Sequence, residues 1–248
     1  MKSKIGYFYF PAAIFLLILW WIIANIVHLP IIPSPIAVIE RLSKIFLDTI
    51  AIHAIYSIWR IVAGIILAVV IGVPIAIFMG YYKFIDKILA PIVYLTYPIP
   101  KIALLPIFML LAGIGELPKI IMIFLIVIFQ ILVSIRDSIK AIPKEMYYPL
   151  YTLGASFYDI FTKILWPAIL PNFITSLRVA LGTAISVLFF TETFGTKFGM
   201  GYFIMDSWLR VNYLDMYSGI IILSIMGLAL FGLFDFIENY FCRWKAKN

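Results

Sequence analysis

Apolar residues run along this 248-residue chain in long blocks separated by short polar intervals. A helix that crosses a membrane needs about 20 mostly apolar residues. The pattern meets that length about six times, over 7–29, 55–80, 88–112, 118–135, 168–191 and 215–241. The third block is irregular: it carries Pro91, Pro98, Pro100 and Pro106 and is expected to be kinked or broken. Irregular backbone at membrane depth is tolerated only inside a bundle or along a cavity. The block is therefore expected either to line a passage or to serve as a bent packing helix. Segment 33–54 opens on Pro-Ser-Pro and then turns amphipathic, with Ile36, Ile39, Leu42, Ile45 and Phe46 at helical spacing and Glu40, Arg41, Lys44 and Asp48 between them. It is expected to lie on the outer membrane surface or to pack across the bundle. No internal repeat and no low-complexity tract interrupts the pattern.

Composition agrees with a lipid-surrounded protein. Hydrophobic residues make up 65% of the chain and charged residues 12%, with a mean hydropathy of +1.10. A soluble domain is about half apolar and about a quarter charged. Disordered, collagen-like and disulfide-scaffold classes are excluded by the same figures. Cys242 is the single cysteine, so neither an intramolecular disulfide nor a multi-cysteine zinc site is available. His28 and His53 do not form an HExxH spacing, and no catalytic or metal-binding residue is expected. There is no GxxxxGK[ST] loop to cradle nucleotide phosphates, so the chain alone is expected to be neither an enzyme nor a cofactor carrier.

The formal charge of +7 would suggest nucleic-acid binding on a soluble protein. Here it points to basic residues gathered at a cytoplasmic membrane edge, with no nucleic-acid partner. Lys2, Lys4, Lys83, Lys87, Arg136, Lys140, Lys144, Lys163, Arg243, Lys245 and Lys247, 11 of the 19 basic residues, fall on one side if the N-terminus is inside. The other side holds Arg41, Lys44, Lys197 and Arg210, with Lys119 at its edge. The bias places both termini in the cytoplasm of a multi-pass protein of the cytoplasmic membrane. The apolar run from about 5 to 29 exceeds the roughly 7–15 residues of a signal-peptide core, and it is expected to be a retained first helix.

The longest interval between spans is 136–171. It is composed like two short helices joined by a tight turn. Pro143 is suited to start the first, since proline is tolerated in a first helical turn. Gly154 is suited to end it in the left-handed conformation. Ser156 is placed to cap the second, with Asp159 at the third position of a capping box. Phe157 and Phe161 then share a face, and Pro167 and Pro171 mark the helix end and the return to the membrane. Such a hairpin is expected either to dock into a soluble partner or to rest on the membrane surface.

Gly154, nine residues, and then Ile164, Leu165, Trp166 and Pro167 resemble the glycine-to-Ile-x-Leu-Pro spacing of the EAA loop, the signature of permease subunits of ABC importers. PSPIAVI at 33–39, IPKIALLPIFMLLAGIGELPKI at 99–120, TLGAS at 152–156, LRVALG at 177–182 and GMGYFI at 199–204 resemble the nitrate/sulfonate/taurine branch of those permeases. The resemblance covers roughly 30–240. It implies an all-α membrane protein with the type I importer bundle: a single permease domain over 1–248, with a core of about 50–240 and a coupling loop at about 137–167. It further implies two cytoplasmic ATPases that hold the ATP and Mg, a binding protein outside, and a second permease copy, usually a homodimer. By position, Gly154, Ala155, Ser156, Phe157, Phe161 and Pro167 would couple to the ATPase. Tyr148, Pro149 and Leu150 stand where the family has Glu-Ala-Ala, and Pro149 is expected to kink the first helix.

Ionisable groups inside spans are expensive and default to functional candidates. Lys101, beside Pro106 in the broken block, and Arg178 are candidates to meet an anion on the pathway; Arg178 is alternatively suited to snorkel to the inner surface. Arg60 is expected to pair near the outer edge, and Glu192 to stabilise the outer end of the fifth span or a gate. A small, anionic, sulfonate- or nitrate-like solute follows from the resemblance. The alternative is a secondary carrier or channel that needs no ATPase; it would be expected to show internal repeats and buried coupling carboxylates.

Overall fold

The computed structural model describes the backbone of residues 2–243 and the side chains of residues 11–243. Among the described residues all regular structure is helical. Helix α1 (Lys2–Val27) covers the first predicted span; the side chains of Lys2 and Lys4 lie outside the described residues, as do Lys245 and Lys247 at the other end. Trp20 ties α1 to the connection beyond it, donating from Nε1 to the Pro33 carbonyl at 3.1 Å.

Helix α2 (Pro35–Ile45) starts where Ser34 accepts a hydrogen bond from the Ala37 amide, with Pro35 in the first turn. It does not stop before the next span. A π turn over Phe46–Ile50 carries it into α3 (Ala51–Tyr81), and Pro35–Tyr81 forms one rod of 47 residues. The amphipathic segment packs across the end of the bundle: Val38 and Ile45 are buried, and Arg41 pairs with Asp215 at 2.6 Å.

The third block breaks as its prolines predict. Helix α4 (Lys83–Thr96) is followed by Pro98, Pro100 and a 3-10 turn over Lys101–Leu104, and then by α5 (Leu105–Ala112) with Pro106 in its first turn. The two arms are bent by 83°. Helix α6 (Glu116–Lys140) returns down the bundle. Helix α7 (Tyr148–Thr152) and α8 (Phe157–Ile160) form the hairpin. A second π turn, Phe161–Leu165, leads into α9 (Trp166–Glu192). Helix α10 (Met200–Leu209) and α11 (Tyr213–Phe241) complete the described fold. Among the described residues, four helices are long and apolar enough to cross a membrane, or five counting the bent pair as one span; Pro11–Val27 of α1 is a shorter apolar helix.

The core lies where α3, α6 and α9 meet. On α6, Ile123, Val127, Ile131 and Ile135 recur every four residues and are fully buried, which puts them on one face of the helix. Against them α3 presents Gly64, Gly72 and Gly80. A Cβ on Gly64 would stand 2.5 Å from Ile123, and one on Gly80 would stand 2.7 Å from Ile139. Lipid tails are as apolar as the core, so helix association in a membrane depends on such close backbone approach. Gly72 is less tightly covered, with its nearest neighbour at 3.1 Å. Gly64→Ala is therefore expected to cost about 1–3 kcal/mol through overpacking, and Gly72→Ala much less. Thermal unfolding of the purified variants in detergent checks this: equal midpoints for the two would remove the glycine ladder as the cause of α3–α6 contact.

Candidate functional site

Two polar constructions stand at opposite ends of the bundle, and a third sits at the break between α4 and α5. At one end is the hairpin. Gly154 has φ +68°, in the region an L side chain rarely adopts. Leu153 and Gly154 close the turn by donating to the carbonyls of Leu150 and Tyr151, and Ala155 donates to Leu150 as well. Ser156 then caps α8 through a complete capping box. Its Oγ accepts from the Asp159 amide at 3.3 Å, and Asp159 accepts from the Ser156 amide at 3.1 Å.

The proline placements differ from expectation. Pro149 sits in the first turn of α7 and starts that helix rather than kinking it, because its missing N–H is one the helix leaves unpaired there anyway. Pro143 precedes a short 3-10 turn, Lys144–Met146. Pro167 ends nothing. It falls just after the π turn, in the first turn of α9, and Pro171 lies inside the same helix. Phe157–Glu192 is thus one run of 36 residues. The π turn, in which the Trp166 amide donates to the Phe161 carbonyl, is the local adjustment that lets proline follow without a break.

Phe157 and Phe161 stack on one another at 6.5 Å. Phe157 also faces Phe78, Tyr81 and Tyr82 at the end of α3, and Phe161 continues to Trp166. This aromatic cluster fastens the hairpin to the transmembrane helices. The most exposed apolar groups of the hairpin are Leu153 (81%) and Tyr158 (73%). Tyr147 is half-buried, and burial pushes its phenol above the ordinary range.

At the far end Arg60 and Glu192 are both wholly buried and pair at 2.6 Å. Arg60 also holds Glu116 at the start of α6 through two 2.6 Å bonds. It donates further to the Phe198 carbonyl and to Thr196 Oγ1. Glu192 accepts from Ser57 and from the Gly201 amide. Ser57 accepts from the Met200 amide, and His53 Nδ1 from the Gly199 amide. Lys119 reaches the carbonyls of Gly115 and Gly195. Segment 193–199 between α9 and α10 is thus sewn to α3 and α6. Gly199, at φ +135°, leaves no room for a Cβ, which would stand 2.5 Å from the Glu192 carboxyl.

Between the ends, Lys101 turns back on the helix that precedes it. Its Nζ donates to the Thr96 carbonyl at 3.0 Å and to the Tyr97 carbonyl, closing the C-terminus of α4. Pro106 lines an apolar groove with Met109, Leu110, Ile114, Phe190 and Phe194. Arg178 bonds Glu238 and pairs with Asp235 at 2.7 Å, so its charge is met by α11. No cluster suited to a metal ion occurs among the described residues.

Residues 64–247 match the family described as binding-protein-dependent transport system inner membrane component. The chain belongs to that family. The formylaminopyrimidine transport permease ThiX of Halalkalibacterium halodurans is 28% identical, over 94% of each chain. The taurine transport system permease TauC of Escherichia coli is 30% identical, over 87% of this chain and 81% of its own. A putative ABC transporter permease of Methanocaldococcus jannaschii is 30% identical, over 92% and 88%. Among solved structures, the inward-facing MetNI methionine ABC transporter superposes with a TM-score of 0.63 at 20% identity, covering 76% of this chain and 92% of that one. This permease is therefore a non-catalytic, multi-pass subunit with the type I importer fold, of a class that works with an ATPase and a binding protein.

The Arg60 network is only partly visible in sequence. Arg60 and Glu192 stand out as charges within spans, but Glu116, Ser57 and His53 do not. The available signal is the glycine run Gly195, Gly199 and Gly201 beside a glutamate. Breaking a buried pair by removing one partner costs about 3–5 kcal/mol, because a charge is left stranded. Arg60→Met is expected to lose that much stability, and Arg60→Met with Glu192→Gln to recover a large part of it. Thermal midpoints of the single and double variants decide this; an equal loss in both would mean the pair's charge is not what matters.

Proposed function

We propose that this permease carries a small anionic solute inward across the cytoplasmic membrane. It does so as one of two identical copies, driven by a separate ATPase that binds the nucleotide and its Mg. The ATPase docks on the hairpin, so the hairpin and both termini lie in the cytoplasm. The binding protein docks at the far end. One observation carries the reading: the capped hairpin is continuous with α9 through Phe157–Glu192. Its turn is held by Gly154, its start by Ser156 and Asp159, and its flank by the stacking of Phe157 on α3. A push on the hairpin is delivered as rigid-body motion to α9, and through α9 to the far-end network. Closely packed bundles respond to such a push by switching between discrete packings.

In this arrangement Gly154, Ala155 and Ser156 set the presentation of the hairpin, while Phe157, Phe161 and Pro167 transmit it. Leu153 and Tyr158 supply the apolar surface that the ATPase covers. The positive residues Lys83, Lys140 and Lys144 cluster at the hairpin end, in keeping with a cytoplasmic edge. The anionic class of solute is supported by the taurine and aliphatic sulfonate permeases among the relatives and by Lys101 at the break.

The cost of substitution at Gly154 is conformational, since no atom lies within 4 Å of where a Cβ would stand. Gly154→Val, which disfavours positive φ most, is expected to abolish ATP-driven uptake in proteoliposomes and to weaken ATPase co-purification. Gly154→Asn, which tolerates that conformation, is expected to retain much of both. Full uptake by the valine variant at normal membrane levels would remove the hairpin from the coupling path.

A further inference from the structure

The break between α4 and α5 opens a cavity of about 320 Å³ against α6 and α9. That is the lower end of the range typical of small-molecule sites, about 300–1,000 Å³. Lys101, Gln130 and Thr183 supply its polar lining, with Tyr97 and Phe129 as aromatic walls. No carboxylate lines it, and Lys101 has no acidic partner among the described residues.

Each polar group is left with bonding capacity. The Lys101 ammonium has three donors, of which two go to the Thr96 and Tyr97 carbonyls. Its charge lies 4.4 Å from the Phe129 ring centre and 5.2 Å from that of Tyr97. Aromatic faces moderate a cation without neutralising it. Gln130 Oε1 is buried and has no hydrogen-bond partner. Neither end of that amide is bonded by a described residue, so exchanging its oxygen and nitrogen leaves the point unchanged. A buried acceptor without a donor is costly, and an uncompensated ammonium facing lipid is costlier. Both costs fall away if the cavity opens on a passage and a solute completes the bonding. Gln130 stands roughly midway along α6, and a broken helix at the middle of a bundle is where transported solutes are commonly held.

We infer that this niche is a solute site within the permease itself, and that it selects a small anion that also carries an N–H or O–H donor. The anionic group meets the third Lys101 donor and the amide nitrogen of Gln130. The solute's own donor meets Gln130 Oε1, and Thr183 adds a hydroxyl. An anion lacking the donor leaves Oε1 unpaired and binds more weakly. This inference rests on the importer reading above and narrows its solute class.

The test uses the permease–ATPase complex in lipid nanodiscs without the binding protein, so that any selectivity belongs to the bundle. The probes are radiolabelled isethionate and ethanesulfonate, which share a sulfonate and differ by one hydroxyl group. Isethionate is expected to bind about tenfold more tightly, the worth of one well-made hydrogen bond to a buried group. Gln130→Leu should weaken ethanesulfonate modestly through the lost amide nitrogen, weaken isethionate further, and so remove the difference between the two probes. Lys101→Met should weaken both probes at least tenfold, while Lys101→Arg, which keeps the charge and the bonds to α4, should restore ethanesulfonate binding. Absence of saturable binding of either probe, or binding indifferent to both Gln130→Leu and Lys101→Met, overturns the inference. Retention of an active ATPase in the same samples reports separately on the importer reading: its loss from the unmodified complex would sink that reading, whatever the probes do.

Discussion

A guanidinium that is wholly removed from solvent can be kept only if every direction it points in is answered. Arg60 meets that constraint with two carboxylates, a carbonyl and a hydroxyl drawn from three separate stretches of chain. The consequence reaches beyond the pair. Glu192 ends α9, Glu116 begins α6, and Thr196 and Phe198 belong to the connection toward α10. One side chain on α3 therefore fixes the relative height of the three core helices at the far end. In a low-dielectric setting a half-satisfied network would be worse than an apolar one, so the arrangement favours all of its bonds together or none.

At the opposite end the helices are held by different physics. Stacked aromatic rings and a capped turn join the hairpin to α3, and close glycine contacts let α3 run against α6. The contacts of the hairpin itself are short-ranged and apolar, while the ion pairs at that end, Asp86 with Arg136 and Lys140, join α4 to α6. Between the two ends the bundle gives way at the α4–α5 bend, where Lys101 repairs the exposed carbonyls of α4. A charge used for repair also remains available to a visitor, which is how a structural necessity becomes a binding opportunity.

Much of the fold was legible because hydropathy and proline are strong signals. The broken third block followed from Pro98 and Pro100, and the hairpin turn from Gly154, Ser156 and Asp159. What escaped were continuities and long-range pairings. The apolar pattern fades at Asp48 and Thr49, yet the helix continues, since a π turn absorbs the change of face. Pro167 reads as a stop, but the π turn before it lets the helix run on. Arg60 finds Glu116 and Glu192 at separations of 56 and 132 residues, which no local pattern encodes. Gln130 is a polar residue in an apolar run that no sequence pattern singles out; only its lack of a partner gives it meaning.

The π turn at Phe161–Leu165 also sets a rule for variation. Successive residues of a helix are offset by about 100°. One residue more or less between Gly154 and the buried face of α9 would swing the hairpin's outer side, with Leu153 and Tyr158, about a quarter-turn around the axis. Chemical substitutions in this stretch alter the surface that is presented; insertions and deletions alter where it points. The segment is thus held to a length more strictly than to a composition, and descendants of this chain should drift in residue type there while keeping count.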